Sequence, residues 1–225
     1  MPKHLVLVAG NIGAGKTSLA ERLGARLGWH VAYESVDNNP YLADFYADMR
    51  AWSFHLQIFF LGHRAEQHRQ LIERQQLAAP ESAIIDRSIY EDAHIFARAL
   101  YSLGNMSERD YHAYQRLYGL VIDTLPRPAL LIYIKASPAT LLARIRQRGR
   151  EMENSVSADY LALLGQFYDE WMATFDQCPV LTVPGDDLDF VHYPEHLEII
   201  AERVEDKLAG KESVEFPKPG VAYAR

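Results

Sequence analysis

The sequence predicts an α/β fold: a five-stranded parallel sheet with helices on both faces and a phosphate-binding loop. Three observations carry this. Short apolar runs suited to buried strands recur at 5–9, 31–33, 83–85, 130–134 and 180–183. Stretches of helical periodicity separate them, the pattern of a parallel sheet covered on both faces. The first run leads straight into Gly10-Asn11-Ile12-Gly13-Ala14-Gly15-Lys16-Thr17, which fits G-x-x-x-x-G-K-[ST] and is followed by a helical pattern over 18–27.

That loop is expected to hold a nucleoside triphosphate. Its glycines let backbone N–H groups curl round phosphate oxygens, and the helix that starts near Ser18 adds its partial positive charge. Lys16 would reach the β- and γ-phosphates, and the Thr17 hydroxyl would sit on Mg²⁺. Bulk properties agree with one α/β domain over 1–209. The chain has 225 residues, 48% of them hydrophobic and 24% charged. A net charge of -7 argues against a general nucleic-acid or anionic-membrane binder. Cys178 is the only cysteine, so neither a disulfide framework nor a cysteine zinc site is available. The N-terminal apolar run is too short to span a membrane and lacks a signal-peptide layout, so a cytoplasmic protein is expected. His192 and His196 stand four apart around Pro194 and read as surface histidines, so a metal should arrive with the nucleotide.

After the second strand comes a long insertion with helical patterns over 41–50 and 52–76. The second begins Trp52-Ser53-Phe54-His55-Leu56-Gln57-Ile58-Phe59-Phe60-Leu61, apolar nearly all round, as in a helix buried in a core or against another subunit. Gln57 and Arg64 lie seven apart and share one face. Buried polar groups need partners, which either a ligand pocket or a structural hydrogen-bond network would supply. Ser88-Ile89-Tyr90-Glu91 reads as a capping box, which assigns Ser88 and Glu91 to structure. Ser107 and Ser137-Pro138 mark two further helix starts, with helices over 108–124, 138–148, 157–175 and 194–208. The tail 210–225 carries Pro217, Pro219 and Gly220 without periodicity and is read as a flexible or loosely docked extension.

Residues at the carboxyl ends of parallel strands line the ligand crevice. Glu34 follows the second strand, where a carboxylate could act as general base on a substrate hydroxyl or be a plain loop glutamate. Asp86 ends the third strand in the manner of a Walker B acid, helping Thr17 hold Mg²⁺, and Arg87 could orient the reacting hydroxyl; a structural Asp86–Arg87 pair is the alternative. Arg144, Arg146, Arg148 and Arg150 precede or flank Gly149, which permits a break. This suits either an arginine lid over a transferring phosphoryl group or a solvated basic face.

With these residues in hand, the chain resembles the deoxynucleoside kinases that act on deoxycytidine, deoxyguanosine and deoxyadenosine. The likeness runs from Leu5 to about Val183 through the P-loop, Tyr46, Trp52-Ser53-Phe54 with Gln57 and Arg64, Asp86-Arg87-Ser88 with Asp92, and Arg148-Gly149-Arg150 with Glu153. It is nearest to small bacterial enzymes acting on purine deoxynucleosides, through Asp37-Asn38-Asn39-Pro40-Tyr41-Leu42 and Arg148-Gly149-Arg150-Glu151-Met152-Glu153. The resemblance implies transfer of the ATP γ-phosphoryl group to the 5′-hydroxyl of a deoxynucleoside, with Mg²⁺. Glu34 would be the base, and Arg87 would hold hydroxyl and carboxylate. Tyr46 and Glu153 would take the 3′-hydroxyl, Gln57 and Asp92 the base edge with Arg64 paired to Asp92, and Phe54 and Phe96 the base faces. Arg144, Arg148 and Arg150 would form the lid. A homodimer through helices is also implied, accounting for part of the apolar excess near Phe59 and Phe60. Several relatives carry Glu-Pro-Val where this chain has Glu34-Ser35-Val36, and Glu-Arg-Ser where it has Asp86-Arg87-Ser88. A nucleoside-monophosphate kinase of the thymidylate or guanylate kind is the nearest alternative, but it would need basic groups where Glu34 stands. A P-loop NTPase switch would leave Gln57, Asp92 and the arginines unexplained.

Overall fold

Apolar side chains at every position of 5–9 leave no face for water, so the strand they form belongs at the centre of the sheet. The computed structural model describes residues 4–33, 39–77 (main chain only from 72), 82–150, 153, 156–212 and 215–216. In it β1 (Leu5–Gly10) is buried at every position. It pairs in parallel with β3 (Ala83–Asp86) on one side and β4 (Leu130–Lys135) on the other. β2 (His30–Ala32) lies beside β3 and β5 (Val180–Pro184) beside β4, giving the order β2-β3-β1-β4-β5. β2 sits one residue earlier than expected, and the other four strands each run one residue further at their carboxyl ends.

Parallel neighbours need crossover connections, and helices supply them. α1 (Lys16–Leu27) links β1 to β2. α2 (Leu42–Ala47) and α3 (Met49–Leu77) fill the long insertion. α4 (Ile89–Glu91), a π-helical turn (Asp92–Ala97), α5 (Arg98–Ser102) and α6 (Glu108–Ile122) lead to β4. α7 (Pro138–Arg148) and α8 (Ala158–Thr174) precede β5, and α9 (Pro194–Leu208) follows it. The expected serine caps are present: Ser107 Oγ accepts from Asp110 N at 3.2 Å and Ser137 Oγ from Thr140 N at 3.4 Å. Ser157 Oγ caps α8 in the same way, accepting from Tyr160 N at 3.1 Å. At the other end of α7, Gly149 turns left-handed (φ 66°), which is the break the sequence anticipates there.

Alternation along β1 divides the core in two. Leu5, Leu7 and Ala9 face a layer built with Leu56 and Phe60 of α3, Ile95 of the π turn, Tyr114 of α6 and Phe167, Tyr168 and Trp171 of α8. Val6 and Val8 face the opposite layer, with Leu19 and Leu23 of α1, Leu141 and Ile145 of α7, and Ile200 and Val204 of α9. Phe216, from the segment read as a loose tail, packs against this second layer, and Arg203 Nε donates to Glu215 O at 3.0 Å. His192 pairs with Asp189 (2.8 Å), and His196 Nδ1 accepts from Asp189 N at 2.9 Å. Among the described residues, no helix is long and apolar enough to cross a membrane.

Candidate active site

Two sets of residues make up the candidate site, the first of them at the end of β1, where the strand order reverses and such sheets bind ligands. The first is the loop after β1. It packs so closely on its surroundings that side chains would not fit. A Cβ on Gly13, where φ is +81°, would meet Leu141 O and Ile145 Cγ1 of α7 at 2.8 Å. Asn11, 6% exposed, pins the turn by donating from Nδ2 to Leu161 O (2.9 Å) and accepting from Ile12 N at Oδ1 (2.8 Å). Lys16 Nζ donates to Gly10 O (2.6 Å) and Asn11 O (3.1 Å), which holds the ammonium over the loop. The Thr17 hydroxyl donates to Asp86 Oδ2 at 2.5 Å. This joins the start of α1 to the end of β3, whose register sets Asp86 level with Val8.

Asp86 is 3% exposed, and its second oxygen, Oδ1, is buried with no partner among the described residues. An unsatisfied buried carboxylate oxygen beside a hydroxyl is the donor set a hard cation takes. The residues present therefore fit Mg²⁺.

The next residue, Arg87, adopts a left-handed backbone (φ 66°), the one positive φ at a described non-glycine residue. Strain of this kind is retained where the surrounding structure demands it. The turn leaves its guanidinium stacked over Phe96 at 4.1 Å from the ring centroid. Phe96 is half-buried on the π-helical turn, a rare widening of the helix found mostly at functional sites.

The second set lies on α3, the π turn and α6. Gln57, Arg64 and Asp92 are 4%, 4% and 2% exposed. Arg64 Nε donates to Asp92 Oδ2, and its guanidinium also lies 5.4 Å from the Phe60 centroid. Gln57 Oε1 is buried and unpartnered among the described residues, as is the hydroxyl of Tyr114. Burial holds the Tyr114 phenol well above its ordinary pKa; the Asp92 carboxylate adds to this and Arg64 opposes it. Buried acceptors without partners are costly, and a ligand edge would satisfy them.

The remaining expected residues are placed as follows. Phe54 is half-buried on α3, and Tyr46 is exposed on α2 with its ring edge on Phe45. Tyr160, at the start of α8, senses both Arg87 and Tyr46: burial raises its pKa, Arg87 lowers it and Tyr46 raises it. Glu153 is gripped by Arg148 (Nη2 to Oε1 2.5 Å, Nε to Oε2 3.1 Å), with Arg150 at 3.9 Å. Arg144 lies on the shaft of α7. Its Nη1 donates to Ala14 O (3.2 Å) and its Nη2 to Gly185 O (2.7 Å), so it braces the phosphate loop from the shaft of α7, before the Gly149 break. Arg148 and Arg150 alone flank that break, and both are exposed. Glu34 lies outside the described residues; β2 ends at Ala32, registered with Ile85.

Sequence reasoning missed three contributors. Glu91 and Tyr168 carry the hydrogen bonds beneath the loop, although the capping box is also present, Glu91 Oε2 accepting from Ser88 N at 3.0 Å. Tyr114 gave no signal beyond its place on an amphipathic helix.

The family model for deoxynucleoside kinase matches residues 6–209. The chain belongs to the deoxynucleoside kinase family. It is 39% identical over 207 residues to the deoxyadenosine/deoxycytidine kinase of Bacillus subtilis, covering 91% of this chain and 93% of that one. It is 36% identical over 205 residues to the deoxyguanosine kinase of the same organism, covering 89% and 96%. Among solved structures, the deoxyadenosine kinase of M. mycoides with dCMP and dCDP bound superposes with a TM-score of 0.77 at 28% identity. That match covers 90% of this chain and 99% of the other. The same enzyme with bound dATP gives 0.74. Family membership decides among the three readings the sequence left open: this is an ATP-dependent phosphotransferase of the deoxynucleoside kinases.

Proposed function

We propose that the protein transfers the ATP γ-phosphoryl group to the 5′-hydroxyl of a purine deoxynucleoside, with deoxycytidine as a further acceptor. The observation that carries this is the buried set of Gln57 and the Arg64–Asp92 pair, with Gln57 Oε1 unpartnered among the described residues. A carboxamide with a free oxygen beside a paired carboxylate offers mixed donors and acceptors, the requirement of an adenine, guanine or cytosine edge. The relatives named for deoxyadenosine, deoxycytidine and deoxyguanosine support the same choice.

The chain's own residues would divide the work. Backbone N–H groups of 12–17 cradle the phosphates, and Lys16 leaves the loop carbonyls to reach them. Arg87, stiffened by its backbone and by Phe96, orients the 5′-hydroxyl, and Glu34 accepts its proton. Phe54 and Phe96 flank the base, while Tyr46 and Glu153 meet the 3′-hydroxyl. Glu153 would then exchange its pairing with Arg148 for the sugar, releasing the arginine toward the phosphoryl group. Mg²⁺ would be held through Thr17 and Asp86, where it would supply neutralisation of phosphate charge.

Residues 1–209 are read as one domain and 210–225 as an extension of it. A homodimer fits the exposed leucines of α6, Leu117 at 43% and Leu120 at 69%. Phe60 is spent on the chain's own core, so the apolar excess there is partly internal. A cytoplasmic location accords with salvage of free deoxynucleosides. Incubation with ATP, Mg²⁺ and each deoxynucleoside in turn tests the reading: formation of dAMP and dGMP is expected, and a clear preference for thymidine would contradict it.

A further inference from the structure

Glu91 is 0% exposed and takes no part in the roles above. Its Oε1 accepts from the backbone N–H of Gly10 at 3.1 Å and lies 2.6 Å from the Tyr168 hydroxyl. Its Oε2 accepts from Ser88 N at 3.0 Å. The fully buried Tyr168 hydroxyl also stands 2.8 Å from Gly10 O, sharing its single proton between that carbonyl and the carboxylate. Burial, reinforced by the Glu91 carboxylate, holds the phenol well above its ordinary pKa and so keeps that proton in place.

Both polar groups of the motif's first residue, Gly10, are thus held from beneath by side chains of distant elements. The same carboxylate fixes the peptide that follows the left-handed Arg87. One buried group therefore ties the phosphate loop to the arginine facing the acceptor.

Gly10 O has a second visitor. Lys16 Nζ donates to it at 2.6 Å, and that ammonium must leave to meet a phosphate. A buried carbonyl stripped of its donors costs free energy, which would hold the lysine back. We propose that Glu91 and Tyr168 are positioning residues for phosphoryl transfer, forming a latch that satisfies Gly10 when Lys16 leaves and sets the spacing between loop and Arg87. The proposal rests on the kinase reading, and its test uses a binding readout that needs no acceptor.

The variants are Tyr168→Phe and Glu91→Gln, with Val204→Ala in the opposite core layer as a stability-matched control. Calorimetric ATP affinity, KM and kcat are measured for each. In Tyr168→Phe the carbonyl retains only the pull on Lys16, and ATP affinity falls by about tenfold, the scale of one lost buried hydrogen bond. In Glu91→Gln the amide sets N–H against the N–H of Gly10 or Ser88. Both KM values then rise and kcat falls by about tenfold or more. In the double variant the two losses combine less than additively, because Tyr168 and Glu91 hydrogen-bond each other and both hold Gly10. Wild-type affinity and turnover in Tyr168→Phe, or losses no larger than those of Val204→Ala at equal stability, overturn the latch. A wild-type protein that binds ATP but phosphorylates no deoxynucleoside would overturn the kinase reading instead, leaving the affinity comparison to judge the latch.

Discussion

The two residue sets of the candidate site would hold their ligands by different physics. Around the phosphate loop, recognition is by backbone: a contiguous turn is wedged against α7 so tightly that Gly13 admits no Cβ. On the proposed nucleoside side, recognition would be by side chains gathered from α3, the π turn and α6, two of which, Gln57 and Tyr114, are buried with an oxygen left over. Phosphate looks the same to any binder and can be met by a fixed loop. A base has an edge pattern, and matching it requires polar atoms deep in an apolar layer. The nucleoside half should therefore be the more expensive to build and the more sensitive to single side chains.

Chemistry is expected to give the largest effect. Glu34→Ala should lower kcat by roughly 10³-fold or more, about 4 kcal/mol, with ATP affinity unchanged. Steady-state kinetics beside calorimetry separates the two, and undiminished turnover would remove Glu34 from the role of base. The cost of the buried half comes next. Asp92→Ala leaves Arg64 buried without its carboxylate and should lower unfolding stability by about 3–4 kcal/mol in urea titration. Glu198→Ala breaks the exposed pair with Arg26, whose side chains are 48% and 44% exposed, and should leave the urea midpoint nearly unchanged.

A third test uses pH. His68 lies on α3, one turn beyond Arg64, 2% exposed, and burial depresses its pKa to about 4. Unfolded, it takes up a proton near the ordinary 6.5, so the unfolded state binds more protons between the two values. Stability contributed by the neutral ring is complete above pH 6.5 and is lost as pH falls toward 4, by up to about 3 kcal/mol. Urea midpoints at pH 7 and pH 4.5 should converge in His68→Gln relative to wild type. The smallest effect sharpens the contrast most. Gln57→Leu should reduce kcat/KM for the preferred base by about 10–100-fold while leaving the ATP KM nearly unchanged.

The same contrast explains what could be read from the chain. The strands, the capped helices and the phosphate loop were legible because each is encoded by neighbours in sequence: apolar runs, serine caps, and one contiguous glycine motif. Gln57, Arg64, Asp92 and Phe96 were named through the resemblance; the structure pairs Arg64 with Asp92, sets Arg87 over Phe96 and buries Gln57. Spacing alone united only Gln57 and Arg64. The contacts of Arg144 with Ala14 O and Gly185 O could not be read from the chain, because those partners are distant in sequence. The π-helical turn at Asp92–Ala97 left no trace, since its residues suit an ordinary α-helix equally well. Glu91 was correctly seen as a cap residue, but its second oxygen reaches Gly10, 81 residues away.

The central claim is that the crevice accepts a deoxynucleoside and phosphorylates it. The most direct measurement is product formation from ATP, Mg²⁺ and a panel of deoxyadenosine, deoxyguanosine, deoxycytidine and thymidine, alongside the corresponding monophosphates. Turnover of the purine deoxynucleosides to their 5′-monophosphates, with deoxycytidine next and thymidine last, is the expected result. Phosphorylation of monophosphates alone, or a clear preference for thymidine, would contradict it.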